Sequence, residues 1–126
     1  MKLPRVLVVD DSAFARTLLS RVLRESGKAV VLDTARNGND ALAKIDELDP
    51  DIVTLDLTMP ELDGIGVLRA LAGRARPRVL VVSISGIESE LGAEALALGA
   101  VDLVTKPTAV ASDRLATIAD ELIAKI

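Results

Sequence analysis

Short apolar runs alternate along the chain with stretches of helical periodicity, and the alternation predicts five βα units. Val6-Leu7-Val8-Val9 reads as a first strand. Ala15, Leu18, Leu19, Val22 and Leu23 follow at helical spacing, with Arg16, Arg21 and Arg24 on other faces, the pattern of an amphipathic helix. Ser12 is its expected N-cap and Gly27 its expected stop. Val30-Val31-Leu32 precedes a helix over about 39–48, closed by Asp49-Pro50. Ile52-Val53-Thr54-Leu55 precedes a helix opening near Gly64, and Val79-Leu80-Val81-Val82 precedes one over about 89–98. The run from Val101 to Thr105 leads into a last helix striped by Leu115, Ile118, Ala119, Leu122, Ile123 and Ile126. Strict βα alternation implies an α/β fold with a parallel sheet and right-handed crossovers.

The chain's 126 residues suit one domain, 1–126, and no linker-like segment divides it. Half of the residues are apolar but Phe14 is the sole aromatic, so Leu, Val, Ile and Ala must build the core. That composition fits strands buried on both faces by helices. Cys and His are absent. Disulfides, thiolate catalysis, a histidine base, a His-ligated zinc and an internal phosphohistidine are thereby excluded, and a reducing cytoplasm is the natural setting.

A net charge of −4 argues against nucleic-acid backbone binding, which needs clustered Lys and Arg. The first apolar run is too short for a signal peptide, and no apolar stretch approaches the ~18 residues of a membrane helix. A soluble, intracellular, cytoplasmic protein is expected.

Chemistry in an open parallel sheet sits beyond the carboxyl ends of the strands. The residues following the apolar runs are Asp10 and Asp11 after the first, Asp56 after the third, Ser83 after the fourth and Lys106 after the fifth. The second run leads into Ala35-Arg36-Asn37-Gly38, which reads as ordinary loop. Any one of these residues alone would be a cap or a solvated loop residue; together they bring three carboxylates, a hydroxyl and an amine to one edge. Two carboxylates ~5 Å apart repel by about 3 kcal/mol at an effective dielectric near 20, so such a group calls for a cation. Hard oxygen donors without His or Cys suit Mg²⁺. Asp56 would keep an oxygen for nucleophilic attack, as carboxylates do in forming aspartyl phosphates, while Lys106 and Ser83 would each hold a phosphoryl oxygen.

The runs Val6-Leu7-Val8-Val9-Asp10-Asp11-Ser12, Asp56 with Met59-Pro60-Glu61-Leu62-Asp63-Gly64, Ser83, Gly99-Ala100 and Lys106-Pro107 resemble those of bacterial response-regulator receiver domains over essentially the whole chain. The resemblance implies a doubly wound five-stranded parallel sheet, flavodoxin-like, with helices on both faces and strand order 2-1-3-4-5. It implies that Asp56 is the phosphoacceptor for a sensor histidine kinase. Asp11 and Asp56 would ligate Mg²⁺ directly, Asp10 through water, and Thr58 through its backbone carbonyl. Ser83 would move to the phosphoryl group, Lys106 would pair with it, and the Lys106-Pro107 bond would be cis.

Gly99-Ala100-Val101-Asp102-Leu103-Val104-Thr105-Lys106-Pro107 is most similar to the receiver of chemotaxis protein-glutamate methylesterases. That likeness implies a chemotaxis kinase as phosphodonor and an output domain beyond this chain, which would hold any esterase activity. The alternative is a stand-alone receiver that docks a partner protein outside chemotaxis. Receivers often carry an aromatic switch residue three positions before the lysine; here it is Leu103. Readout then falls to the Ser83–Gly86 loop, or Leu103 is a strand residue on a partner-facing surface. The residue after Ser83, usually small, is Ile84, whose bulk would hinder attacking water and prolong the phosphorylated state.

Two other readings fail on single positions. A haloacid-dehalogenase-type phosphohydrolase needs an acid two residues past its nucleophile, where Thr58 stands. A nucleotide-binding module would need a glycine-rich phosphate loop, and the nearest candidate, Gly64-Ile65-Gly66, has Arg69 where a third glycine should be and no strand directly before it.

Overall fold

The computed structural model describes residues 3–57, 59, 62–83, 90–105 and 124–126. In chain order these form β1 (Arg5–Val9), α1 (Ala13–Ser26), β2 (Val30–Ala35), α2 (Gly38–Leu48), β3 (Ile52–Leu55), α3 (Gly64–Ala70), β4 (Arg78–Ser83), α4 (Glu90–Ala97) and β5 (Asp102–Thr105). All strand pairings are parallel. The sheet order is β2-β1-β3-β4-β5, which places the chain's first strand inside and β2 and β5 at the edges.

Side chains along a strand alternate between faces, and the core divides accordingly. Leu7, Val9, Val53, Leu55, Val79 and Val81 pack with Ala41 and Ile45 of α2, Ile65 and Leu68 of α3 and Ala95 of α4. Val6, Val8, Ile52, Leu80, Val82 and Val104 pack on the other face with Leu19 and Leu23 of α1 and with Ile126. Both layers are aliphatic, as the composition requires; Phe14 lies 58% exposed on α1.

The caps of α1 are those its sequence predicts. Ser12 accepts the Ala15 N–H, and Gly27 adopts the left-handed conformation (φ 68°) while its N–H bonds to the Arg24 carbonyl, a conformation that costs glycine little. The second strand differs from expectation. It runs on through Asp33, Thr34 and Ala35, which pair with Leu7, Val8 and Val9. Polar side chains are tolerated there because β2 is an edge and half of them face water. The expected loop Ala35–Gly38 is therefore a strand end followed by a cap: the Asn37 side chain accepts the Asp40 N–H, and Gly38 opens α2.

Leu103 requires a correction. It is 6% exposed and packs in the cluster with Val81, Ala95 and Ala100, so it is not a residue on a partner-facing surface. Its side chain points to the α4 face of the sheet rather than outward. The expected last helix, apart from residues 124–126, lies outside the described residues, as do Thr58, Ile84 and the loop after Ser83, and the Lys106-Pro107 bond. A cis bond is present at Arg76-Pro77. Among the described residues no helix is long and apolar enough to cross a membrane.

Candidate acidic site at the carboxyl edge of the sheet

Backbone bonding brings the ends of the two central strands together. The Asp56 N–H donates to the Val9 carbonyl at 3.1 Å, and the Asp10 N–H to the Ala35 carbonyl at 3.0 Å. The residues just past β1 and β3 are thus held side by side. One carboxylate oxygen from each of Asp10, Asp11 and Asp56 lies within 4.8 Å of the other two. Asp10 and Asp56 are 1% and 4% exposed, and Asp11 faces solvent.

Each acid is placed by apolar anchoring of its neighbours. Leu57 and Met59 follow Asp56 and are buried in the core, which draws the chain over the sheet edge and fixes where Asp56 emerges. Asp10 Oδ1 accepts the Ser12 N–H at 2.9 Å, turning the chain into α1. Arg16, one turn into that helix, reaches back and donates from Nη1 to the Asp10 carbonyl at 2.8 Å.

Gly64 closes the site from below. Its N–H donates to the Leu57 carbonyl at 3.1 Å, and a Cβ added there would collide with the Asp56 carbonyl oxygen and sit 2.7 Å from Leu57 Cα. Both are backbone atoms, so they cannot swing aside. The start of α3 packs this closely under Asp56 only because residue 64 has no side chain. Neither Arg16 nor Gly64 stood out as a site residue in the sequence. For Gly64 the available signal was a glycine at the first helical position after a strand-end loop; for Arg16 there was none, since its helical spacing alone reads as a solvated face.

Ser83 ends β4 and is fully buried. The register pairs Leu55 with Val81, so Ser83 is level with the turn just beyond β3 that carries Asp56. Ser83 pairs in turn with Thr105, the residue before Lys106 in sequence. The structure thus assembles Asp10, Asp11 and Asp56 and brings Ser83 to the same edge. Lys106 and Thr58 lie outside the described residues.

Closely spaced carboxylates, two of them out of water, are costly unless a cation or hydrogen bonds compensate them. The donor set is all hard oxygen in a chain without His or Cys, matching Mg²⁺ or a similar cation and not zinc. The residues fit such an ion.

A family model for the response regulator receiver domain matches residues 6–119. Protein-glutamate methylesterase/protein-glutamine glutaminase 5 of Myxococcus xanthus is 59% identical over 123 residues, 97% of this chain and 35% of that protein. The chain spans about a third of the length of the curated relatives it matches. Among solved structures, the response regulator domain of Thermotoga maritima CheB superposes with a TM-score of 0.89 at 39% identity, covering 98% of this chain and 93% of that one. A chain of the CheX-CheY-BeF3-Mg+2 complex from Borrelia burgdorferi superposes at 0.78 with 31% identity, covering 96% of this chain and 87% of that one.

Proposed function

Because this chain belongs to the response regulator receiver domain family of two-component signalling, we propose that it is a phosphorylation switch whose acceptor is Asp56. The observation that carries the proposal is the convergence of Asp10, Asp11 and Asp56 within 4.8 Å at the carboxyl edge of the sheet.

An Asp56 carboxylate oxygen attacks the phosphorus of a phosphohistidine on a partner kinase. The new O–P bond forms as the N–P bond breaks, and the imidazole nitrogen leaves with the electron pair and takes up a proton. Phosphoryl transfer asks the protein mainly for positioning and charge neutralisation. Asp10 and Asp11, with Asp56 and the Thr58 carbonyl, would hold Mg²⁺, which when bound supplies that neutralisation. The Val9–Asp56 backbone bond and the Gly64 contact fix the nucleophile's approach. Ser83 engages a phosphoryl oxygen, Lys106 pairs with another, and the contacts they make favour the active state. Water later attacks the same phosphorus, the Asp56 O–P bond breaks with release of inorganic phosphate, and Asp56 returns to its carboxylate; Ile84, next after Ser83 in sequence, slows that step.

The methylesterase relatives and the similarity to the Thermotoga CheB receiver support a place in chemotaxis. Residues 1–126 act as one receiver unit, phosphorylated by a chemotaxis kinase, and control a protein-glutamate methylesterase whose catalytic groups lie outside this chain. The Mg²⁺ of the Borrelia CheX-CheY complex supports the choice of ion.

Intact-mass spectrometry after incubation with acetyl phosphate tests this. One phosphoryl adduct is expected with Mg²⁺ and little with EDTA, mapping to Asp56. A wild-type adduct that persists in Asp56→Asn would refute the assignment.

A further inference from the structure

The two edges of the sheet carry the same three-part arrangement, built from unrelated stretches of chain. On β2, Asp33 Oδ1 accepts the N–H of Thr34 at 2.8 Å. Lys44 of α2 donates from Nζ to the Thr34 carbonyl and pairs with Asp33 at 3.4 Å. On β5, Asp102 Oδ1 accepts the N–H of Leu103 at 2.8 Å. Lys125 donates from Nζ to the Leu103 carbonyl at 3.1 Å and pairs with Asp102 at 3.3 Å. In each case one edge residue has both its N–H and its C=O taken by a mutually paired acid and lysine.

Backbone groups of a strand address alternate sides. Ala35 turns its carbonyl inward to Asp10, so Thr34, its neighbour, presents its groups outward. These are the groups that an incoming strand would use. Exposed apolar residues flank both places: Val30 on β2 is 45% exposed and Val101, just before β5, is 56% exposed. A strand added at either edge would cover them, so without a block the edges would attract one another.

We propose that the Asp33–Lys44 and Asp102–Lys125 pairs are edge clamps that keep the sheet from pairing with the sheet of a second copy of this chain. An incoming strand must break the ion pair and both side-chain bonds to the backbone before it gains its own. Lysine and inward-turned charge on edge strands serve this purpose generally; here the lysine and acid act on a single residue's amide and carbonyl, and the device is present at both ends of the sheet. The inference does not depend on phosphorylation.

The test pairs substitutions so that neither member of a clamp is left without the other: Asp33→Ala with Lys44→Met, and Asp102→Ala with Lys125→Met, the methionines keeping the apolar stems; Asp40 loses its contact with Lys44 in the first pair. Sedimentation velocity over a concentration series should give variants whose weight-average mass rises toward a doubling relative to the unaltered chain. Hydrogen exchange of β2 or β5 amides should slow as concentration increases. Masses equal to the unaltered chain at every concentration would overturn the proposal. So would association that leaves exchange in β2 and β5 unchanged, since another face would then be responsible. Should a paired variant fail to fold by circular dichroism, the single Lys44→Met and Lys125→Met chains give the same readout.

Discussion

Replacing Asp11 with Asn should change stability in opposite directions with and without Mg²⁺. Carboxylate oxygens of Asp11 lie within 4.8 Å of those of Asp10 and Asp56. At that distance and an effective dielectric near 20, each pair repels by about 3 kcal/mol. Asp11 is exposed, and exposed pairs realise only ~1 kcal/mol or less after screening. Removing its charge while keeping its shape should therefore stabilise the metal-free protein by about 1–2 kcal/mol. Mg²⁺ at a hundredfold excess over its Kd stabilises the folded state by about 2.7 kcal/mol, and the variant loses most of that gain. Urea unfolding followed by far-ultraviolet circular dichroism suits a chain without Trp or Tyr. In EDTA the variant should unfold at higher urea than the wild type, and in excess Mg²⁺ at lower. The EDTA difference should shrink as monovalent salt rises. A variant equal to or weaker than wild type in EDTA would refute the claim that these carboxylates repel one another across a cation site.

Gly64→Ala should destabilise by about 1–3 kcal/mol, the usual cost of overpacking, because the new methyl meets backbone of Asp56 and Leu57; it should also slow labelling by acetyl phosphate, and normal labelling would show that α3 does not set the nucleophile. Arg16→Ala removes a charged donor from the Asp10 carbonyl and should cost about 1–2 kcal/mol, with weaker Mg²⁺ binding by calorimetry that Arg16→Lys partly restores. The Thr34 N–H, opposed by partial burial and aided by Lys44, holds Asp33 below the usual carboxylate range; the Leu103 N–H and Lys125 do the same for Asp102. A carboxylate depressed in the folded state stabilises it above its unfolded value and loses that contribution as pH falls through the folded one. The urea midpoint should therefore drop more steeply below about pH 4 in the wild type than in the Asp33→Ala/Lys44→Met chain, where Asp40 also loses its Lys44 partner at 3.5 Å; superimposable pH profiles would show that the clamp contributes nothing.

Periodicity determined the element order, because strand and helix repeats differ and β-branched runs left no ambiguity over β1, β3 and β4. It also brought the site's acids into view, since parallel strands with helical crossovers deliver every carboxyl end to one edge. Local sequence failed where the decisive neighbour was distant. The tail of β2 was not legible because Asp33 is a poor strand former and the apolar run stops at Leu32, yet pairing of Asp33 and Thr34 with Leu7 and Val8 carries the strand on. Leu103 could not be assigned a face without the register to β4 and the position of α4. Gly64 gained its meaning from a backbone it touches only after folding. What the order of residues supplied on its own was the set of side chains that follow each strand. The tertiary structure alone decided distances and edges: that three acids lie within one ion's reach, and that Lys44 and Lys125 return to backbone carbonyls of the two edge strands. Those depend on contacts between residues far apart in the chain, which no local pattern encodes.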